Sequence, residues 1–286
     1  MFLKTDRMKK IIVLLAIAAI GLGSCKKDNS PAPDKNASVK DMAGCLGYAT
    51  GYSNSGTIGP ANTFDFKIAQ NNQFFAGEVT NQRNFWLGIP AEVHVLYEPT
   101  ADYKNAYASP DGSILFGYQM FYYLVNSFSK LPNTNTLSPL PVDGVLAHEW
   151  GHRVQFTVGW NDYAQPSERE LEADFFSGYY MGLAKQWLWG QIKTYYSAIY
   201  ASGDYYYNSP QHHGTPQQRL NAAYAGLTTA VYELNNNVHY TYAQLHAIFR
   251  SKLPSEISVM HGEQFAEVSY PRHLTKESVQ RLFPRI

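Results

Sequence analysis

Apolar and polar residues alternate along AEVHVLY, residues 91 to 97, which predicts a strand with one buried face. A second strand is predicted over SILFGY, residues 113 to 118, entered through the turn at Pro110, Asp111 and Gly112. Elsewhere the apolar spacing is helical. It predicts helices near 119–128, 142–158, 168–189, 191–201, 216–226 and 241–252, with a last one near 275–283. Strands early and helices late make an α+β domain. The stretch GCLGYATGYSNSGTIGP, residues 44 to 60, is rich in Gly and Ser and is expected to be irregular. KKDNSPAPDKNASVK, residues 26 to 40, is polar and proline-containing and reads as a flexible tether. Residues 41–254 then form the main domain, and 255–286 a tail to which no role attaches.

The amino-terminal apolar run, Ile11 to Ile20, follows lysines and is too short to cross a bilayer as a mature helix. It leads into Leu22, Gly23, Ser24 and Cys25, which resemble the lipobox of a bacterial lipoprotein signal peptide. That resemblance implies residues 1–25 as the signal, Cys25 as the lipid-modified residue, and an exported protein anchored on the periplasmic or outer membrane surface. Cys45 is then left without a cysteine partner, so no intramolecular disulfide framework is expected. With 286 residues and 45% hydrophobic content, the chain can bury a sizeable core. Lys plus Arg and Asp plus Glu both total 23, so there is no basic field for a nucleic acid.

Candidate chemistry sits in VLAHEWGHRVQF, residues 145 to 156. On a helix, His148 and His152 project from one face a turn apart and can direct two imidazoles at one metal ion. Glu149, one step round, suits a carboxylate that deprotonates a metal-bound water rather than binding the metal. The same letters also fit a half-buried helix whose histidines are satisfied by backbone carbonyls. A third ligand is sought in SERELEADFFSGYYMG, residues 167 to 182. Glu170 and Asp174 share a helix face, where one carboxylate can bind the metal and the other can hold a ligand histidine. Glu172 points elsewhere. A competing role for Glu170 is a capping box with Ser167.

His148-Glu149-x-x-His152 followed by a second helix with Glu170-x-x-Ala173-Asp174 resembles the gluzincin metallopeptidases. Among them it is most similar to the neutral zinc metallopeptidases and the related prenyl-protein and heat-shock membrane proteases. NAYASPDGSILF, residues 105 to 116, and HHGTPQQRL, residues 212 to 220, are similar to two further segments of these families. The resemblance spans about residues 91 to 226. It implies one zinc ion held by His148, His152 and Glu170, Glu149 as general base, and Asp174 orienting a ligand histidine. It also implies His213 as a donor to the oxyanion, with Arg219 either holding its loop to the Glu170 helix or contacting substrate. The implied fold is a mostly helical zincin-like domain with a small antiparallel sheet lining the cleft. The implied activity is endopeptidase cleavage of a peptide or protein bound in extended form, added as a strand to residues 113–117. No mature membrane span is visible, so prenyl-peptide chemistry is not carried over. The competing expectation is a non-enzymatic surface lipoprotein with a structural or degenerate metal site, and zinc hydrolysis of a non-peptide amide also fits the residues.

Other positions have plainer readings. Trp150 and Tyr118 are expected in core packing rather than on a cleft wall. His94 is expected to face solvent, and His239, His246, His261 and His273 have no partner at ligand spacing. Thr215, Pro216 and Gln218 read as helix cap, first-turn proline and capping-box partner.

Overall fold

The computed structural model describes residues 56–100, 104–128, 139–186, 195, 198, 213–259, 265–272 and 274–286. The lipobox, Cys25, Cys45, the tether and most of the helix expected at 191–201 lie outside them, as do His212, His261 and His273. The described chain is mostly helical with one small sheet, an α+β arrangement.

Four strands, β1 (Thr57–Ile58), β2 (Glu92–Tyr97), β3 (Ala106–Ala108) and β4 (Ser113–Gly117), lie in the order β1-β2-β4-β3. The outer pairs are antiparallel, but β2 and β4 run parallel, so the sheet is mixed and not the antiparallel one expected. The reason is the path of the chain. After β2 it passes to the far edge, forms β3 first, and returns through a tight hairpin into the gap. Asp111 shapes that hairpin, its Oδ1 accepting from the Ser113 amide at 3.0 Å and hydroxyl at 2.7 Å. With partners on both sides, β4 cannot take up a substrate strand at residues 113–117. The outer strand on that side is β3.

Seven helices are described: α1 (Ala69–Phe85), α2 (Tyr118–Phe128), α3 (Leu140–Val158), α4 (Pro166–Tyr180), α5 (Pro216–Asn236), α6 (Tyr242–Lys252) and α7 (Lys276–Gln280). Short π-helical turns follow α4 at Met181–Lys185 and α6 at Leu253–Ile257. Helix α1 has no counterpart among the expected elements. Its buried face is Phe75, Glu78, Val79, Gln82 and Phe85, a correct helical period, but Glu78 and Gln82 hide it from any apolar pattern. Those two are satisfied internally: Gln82 donates to Glu78 at 3.0 Å and to the Asp143 carbonyl at 2.9 Å, joining α1 to α3.

Helix α3 is the centre of the fold, buried on every side from Leu140 to Gln155. Trp150 is fully buried in the core, as expected, and Tyr118 is half-buried at the edge of that core. Helix α3 stops at Gly159, whose φ of 83° is the left-handed conformation that glycine adopts at low cost. Helices α4 and α5 approach backbone to backbone, because a Cβ at Gly178 would collide with the Ala223 carbonyl and one at Gly226 with that of Phe175. Thr215 and Gln218 form the expected capping box at the start of α5, which runs to Asn236, well beyond the expected 226. The residues after Pro254 complete the core: Ile257, Val279, Leu282 and Phe283 are buried, and Phe283 packs 4.7 Å from the Phe85 ring. No helix of the described residues is long and apolar enough to cross a membrane.

Candidate metal centre

The site is assembled where α3, α4 and α5 cross. Its close crossing is set by Gly151 on α3, where a Cβ would lie 3.0 Å from the Ala173 Cα. His148 and His152 project from α3 with their Nε2 atoms 3.1 Å apart. Glu170 of α4 reaches into the same point, its two oxygens each 3.4 Å from one of those nitrogens. All three side chains are buried. A tetrahedral zinc with bonds of about 2.0–2.1 Å spaces its ligand atoms about 3.3–3.4 Å apart, which matches this triangle.

The protons on the rings point away from that triangle. His148 Nδ1 lies 2.9 Å from Asp174 Oδ1, and His152 Nδ1 lies 2.8 Å from Gln155 Oε1, both acceptors. In the neutral rings each Nδ1 therefore carries the hydrogen, and each Nε2 presents a lone pair. Two lone pairs and a carboxylate then converge on a point that a cation can fill. This explains why Glu170 Oε2 makes no hydrogen bond although a histidine nitrogen is 3.4 Å away. A proton can serve as that cation: burial opposes the charged ring, yet Asp174 and Glu170 push the His148 pKa up to about 9. Burial also works against an ionised Glu170, but His152 and His148 hold its carboxyl well below the usual range. His148, His152 and Glu170 form a group that can hold a metal ion, with ligand atoms all within 4.8 Å of one another. Two imidazoles and a carboxylate are a donor set that zinc favours.

Glu149 does not join this group. It is fully buried, turned toward the Ala108 amide of β3, with no side-chain hydrogen bond to either carboxylate oxygen. Burial pushes its pKa above the ordinary value, with Glu170 adding to this and the two histidines opposing it.

Asp174 bridges two partners. Besides His148 it accepts from Arg219 Nε at 2.6 Å and Nη2 at 2.9 Å, a forked pair between α4 and α5 in which both side chains are fully buried. Of the two roles open to Arg219, the geometry shows the first: it clamps the start of α5 to the Glu170 helix. His213 lies just before α5 and is half-buried.

One competing reading falls away here and one expectation is corrected. Helix α4 begins at Pro166 after an N-cap Gln165 with no side-chain cap, so Ser167 lies inside the first turn and makes no capping box with Glu170. His94 is half-buried, not solvent-facing, with Nδ1 2.9 Å from the Gly59 carbonyl. Glu172 does point away from Asp174, but into a buried network of its own. It accepts from Gln155 at 3.0 Å, from the Tyr163 hydroxyl, and from His246 Nδ1 at 2.6 Å. Gln155 was legible in principle, being three residues after His152 and so on its face of α3. Arg153 was not: it donates to the Ser109 carbonyl at 2.6 Å and ties α3 to the β3–β4 hairpin. His246, 74 positions from Glu172 in the chain, left no signal either.

Comparison of the chain with family models, with curated proteins and with solved structures finds no match.

Proposed function

We propose that the chain is a zinc-dependent endopeptidase in which Glu149 is the general base. The observation that carries this reading is the Glu149 carboxylate, buried with no side-chain hydrogen-bond partner and within electrostatic reach of the convergent His148, His152 and Glu170. A purely structural metal site has no use for such a group. It would also be closed by a fourth side chain, whereas three ligands form the group found among the described residues.

When bound, zinc supplies Lewis-acid polarisation of the scissile carbonyl and acidifies the attacking water. His148, His152 and Glu170 hold it, with Asp174 and Gln155 fixing the two rings. Glu149 takes the proton of the attacking water and returns it to the leaving amine, and its raised pKa suits both halves of that task. His213 donates to the carbonyl oxygen as negative charge develops there. An extended substrate adds along β3, where alternation turns the Ala108 main chain away from β4. Recognition through main-chain hydrogen bonds gives broad peptide specificity. The same reading has the enzyme exported and tethered to a membrane by lipid on Cys25.

An unbiased peptide-library digest with zinc-loaded protein tests the activity. Wild type should cleave, while Glu149→Gln should keep about one zinc and lose cleavage. Undiminished cleavage by Glu149→Gln removes the mechanism. A zinc-loaded wild type that cleaves nothing favours a non-enzymatic surface protein.

A further inference from the structure

The two histidines of the centre are held differently. His148 meets a carboxylate directly, whereas His152 meets the amide of Gln155. The direction of that amide is forced. Its nitrogen donates to the Arg169 carbonyl at 2.8 Å and to Glu172 Oε2 at 3.0 Å. Turned over, the amide would set its oxygen against both of those acceptors and its NH2 group against the Nδ1 proton of His152.

Further bonds hold Glu172 in place. The Tyr163 hydroxyl donates to it, and His246 of α6 holds its other oxygen at 2.6 Å. His246 Nε2 in turn lies 3.2 Å from Asp162 Oδ2, so both ring nitrogens face carboxylates. That arrangement suits the doubly protonated ring. Trp160 stacks on the imidazole at 4.3 Å with an 18° tilt and holds its plane. Gln155 and Glu172 are buried, and the chain of bonds reaches solvent at Asp162.

We propose that His246, Glu172 and Gln155 form a positioning relay that keeps the His152 proton on Nδ1 and thereby aims its Nε2 lone pair at the metal. The carboxylate that supports this second ligand is supplied at one remove, by Glu172 of α4, and is held in turn by His246 of α6. The relay rests on the reading of His152 as a zinc ligand and is independent of whether peptides are cleaved.

The test uses zinc-loaded protein with 15N-labelled histidine, reading solvent exchange of the His152 Nδ1 proton and, by competition with a chromophoric chelator, zinc affinity. Wild type should show a slowly exchanging proton. Gln155→Met, similar in size but with no acceptor, should exchange it quickly and bind zinc ~10–100-fold more weakly. His246→Phe keeps the stack on Trp160 and should shift both readouts in the same direction by less. A Gln155→Met protein that loses only melting temperature, with wild-type exchange and zinc affinity, overturns the relay. If Gln155→Met does not fold, His246→Phe decides: wild-type values in both measurements overturn the role of His246 and Glu172. Absence of peptide cleavage by the wild type would sink the peptidase reading and leave both readouts intact.

Discussion

Replacing Arg219 by methionine keeps much of the side-chain volume but removes the guanidinium that clamps Asp174. Both residues are fully buried, and two hydrogen bonds of 2.6 and 2.9 Å join them. The variant strands a buried carboxylate whose remaining partner is His148. Removing one side of a buried ion pair costs about 3–5 kcal/mol, against about 0–1 kcal/mol for an exposed pair. In a domain of this size each kcal/mol lowers Tm by about 2–4 °C, so a fall of about 6–20 °C is expected. The pH dependence has a definite sign. Burial alone would raise the Asp174 pKa, but Arg219 and His148 hold it below the ordinary 3.8. A depressed folded-state pKa gives stability that is present above the unfolded value and lost as pH falls through the folded one. In Arg219→Met that loss should begin at higher pH. Adding Asp174→Asn removes the stranded charge and should recover part of the deficit. Thermal melts by circular dichroism, with and without zinc, measure all three proteins. An Arg219→Met protein within about 1 kcal/mol of wild type, or a double variant no more stable than the single one, would refute the argument.

Glu170→Ala should abolish zinc binding in a metal assay while costing little helix stability, since Glu170 makes no capping bond; retained zinc would remove it from the ligand set. His213→Ala should keep its zinc and KM and lose ~10²–10³ in kcat, and near-wild-type kcat would show that the loop plays no part in transition-state stabilisation. Burial pushes Glu233 up to about 7, only partly offset by the Tyr179 hydroxyl and the Tyr240 amide. A raised folded-state pKa gives stability that is full below the unfolded value of about 4.5 and lost as pH rises through about 7. Glu233→Gln should therefore flatten the fall in Tm across that window, and an unchanged slope would contradict the assignment.

That His148, His152 and Glu170 come together was readable from the chain and its resemblance. A metal ion needs donors at fixed separations, and a helix converts such separations into integers: four residues from His148 to His152, four from Glu170 to Asp174. The capping of α5 by Thr215 and Gln218 was legible for the same reason, being local. The strands β2 and β4 followed from alternation, which carries no information about direction, and the parallel pairing between them did not. Helix α1 was missed because Glu78 and Gln82 occupy its buried face, and a buried polar residue betrays itself only through partners distant in sequence.

What the sequence determined by itself was which side chains share a helix face, His148 with His152 and Glu170 with Asp174, since that spacing is a property of single helices; the choice of Glu170 as the third ligand came from the resemblance. Tertiary structure alone decided how those ligands are held. Arg219 clamps Asp174 across 45 positions, and His246 reaches Glu172 across 74. It also decided which edge of the sheet faces the site. These are contacts between elements, made by crossings that glycines at 151, 178 and 226 permit, and the order of residues along a chain does not encode which helices will cross.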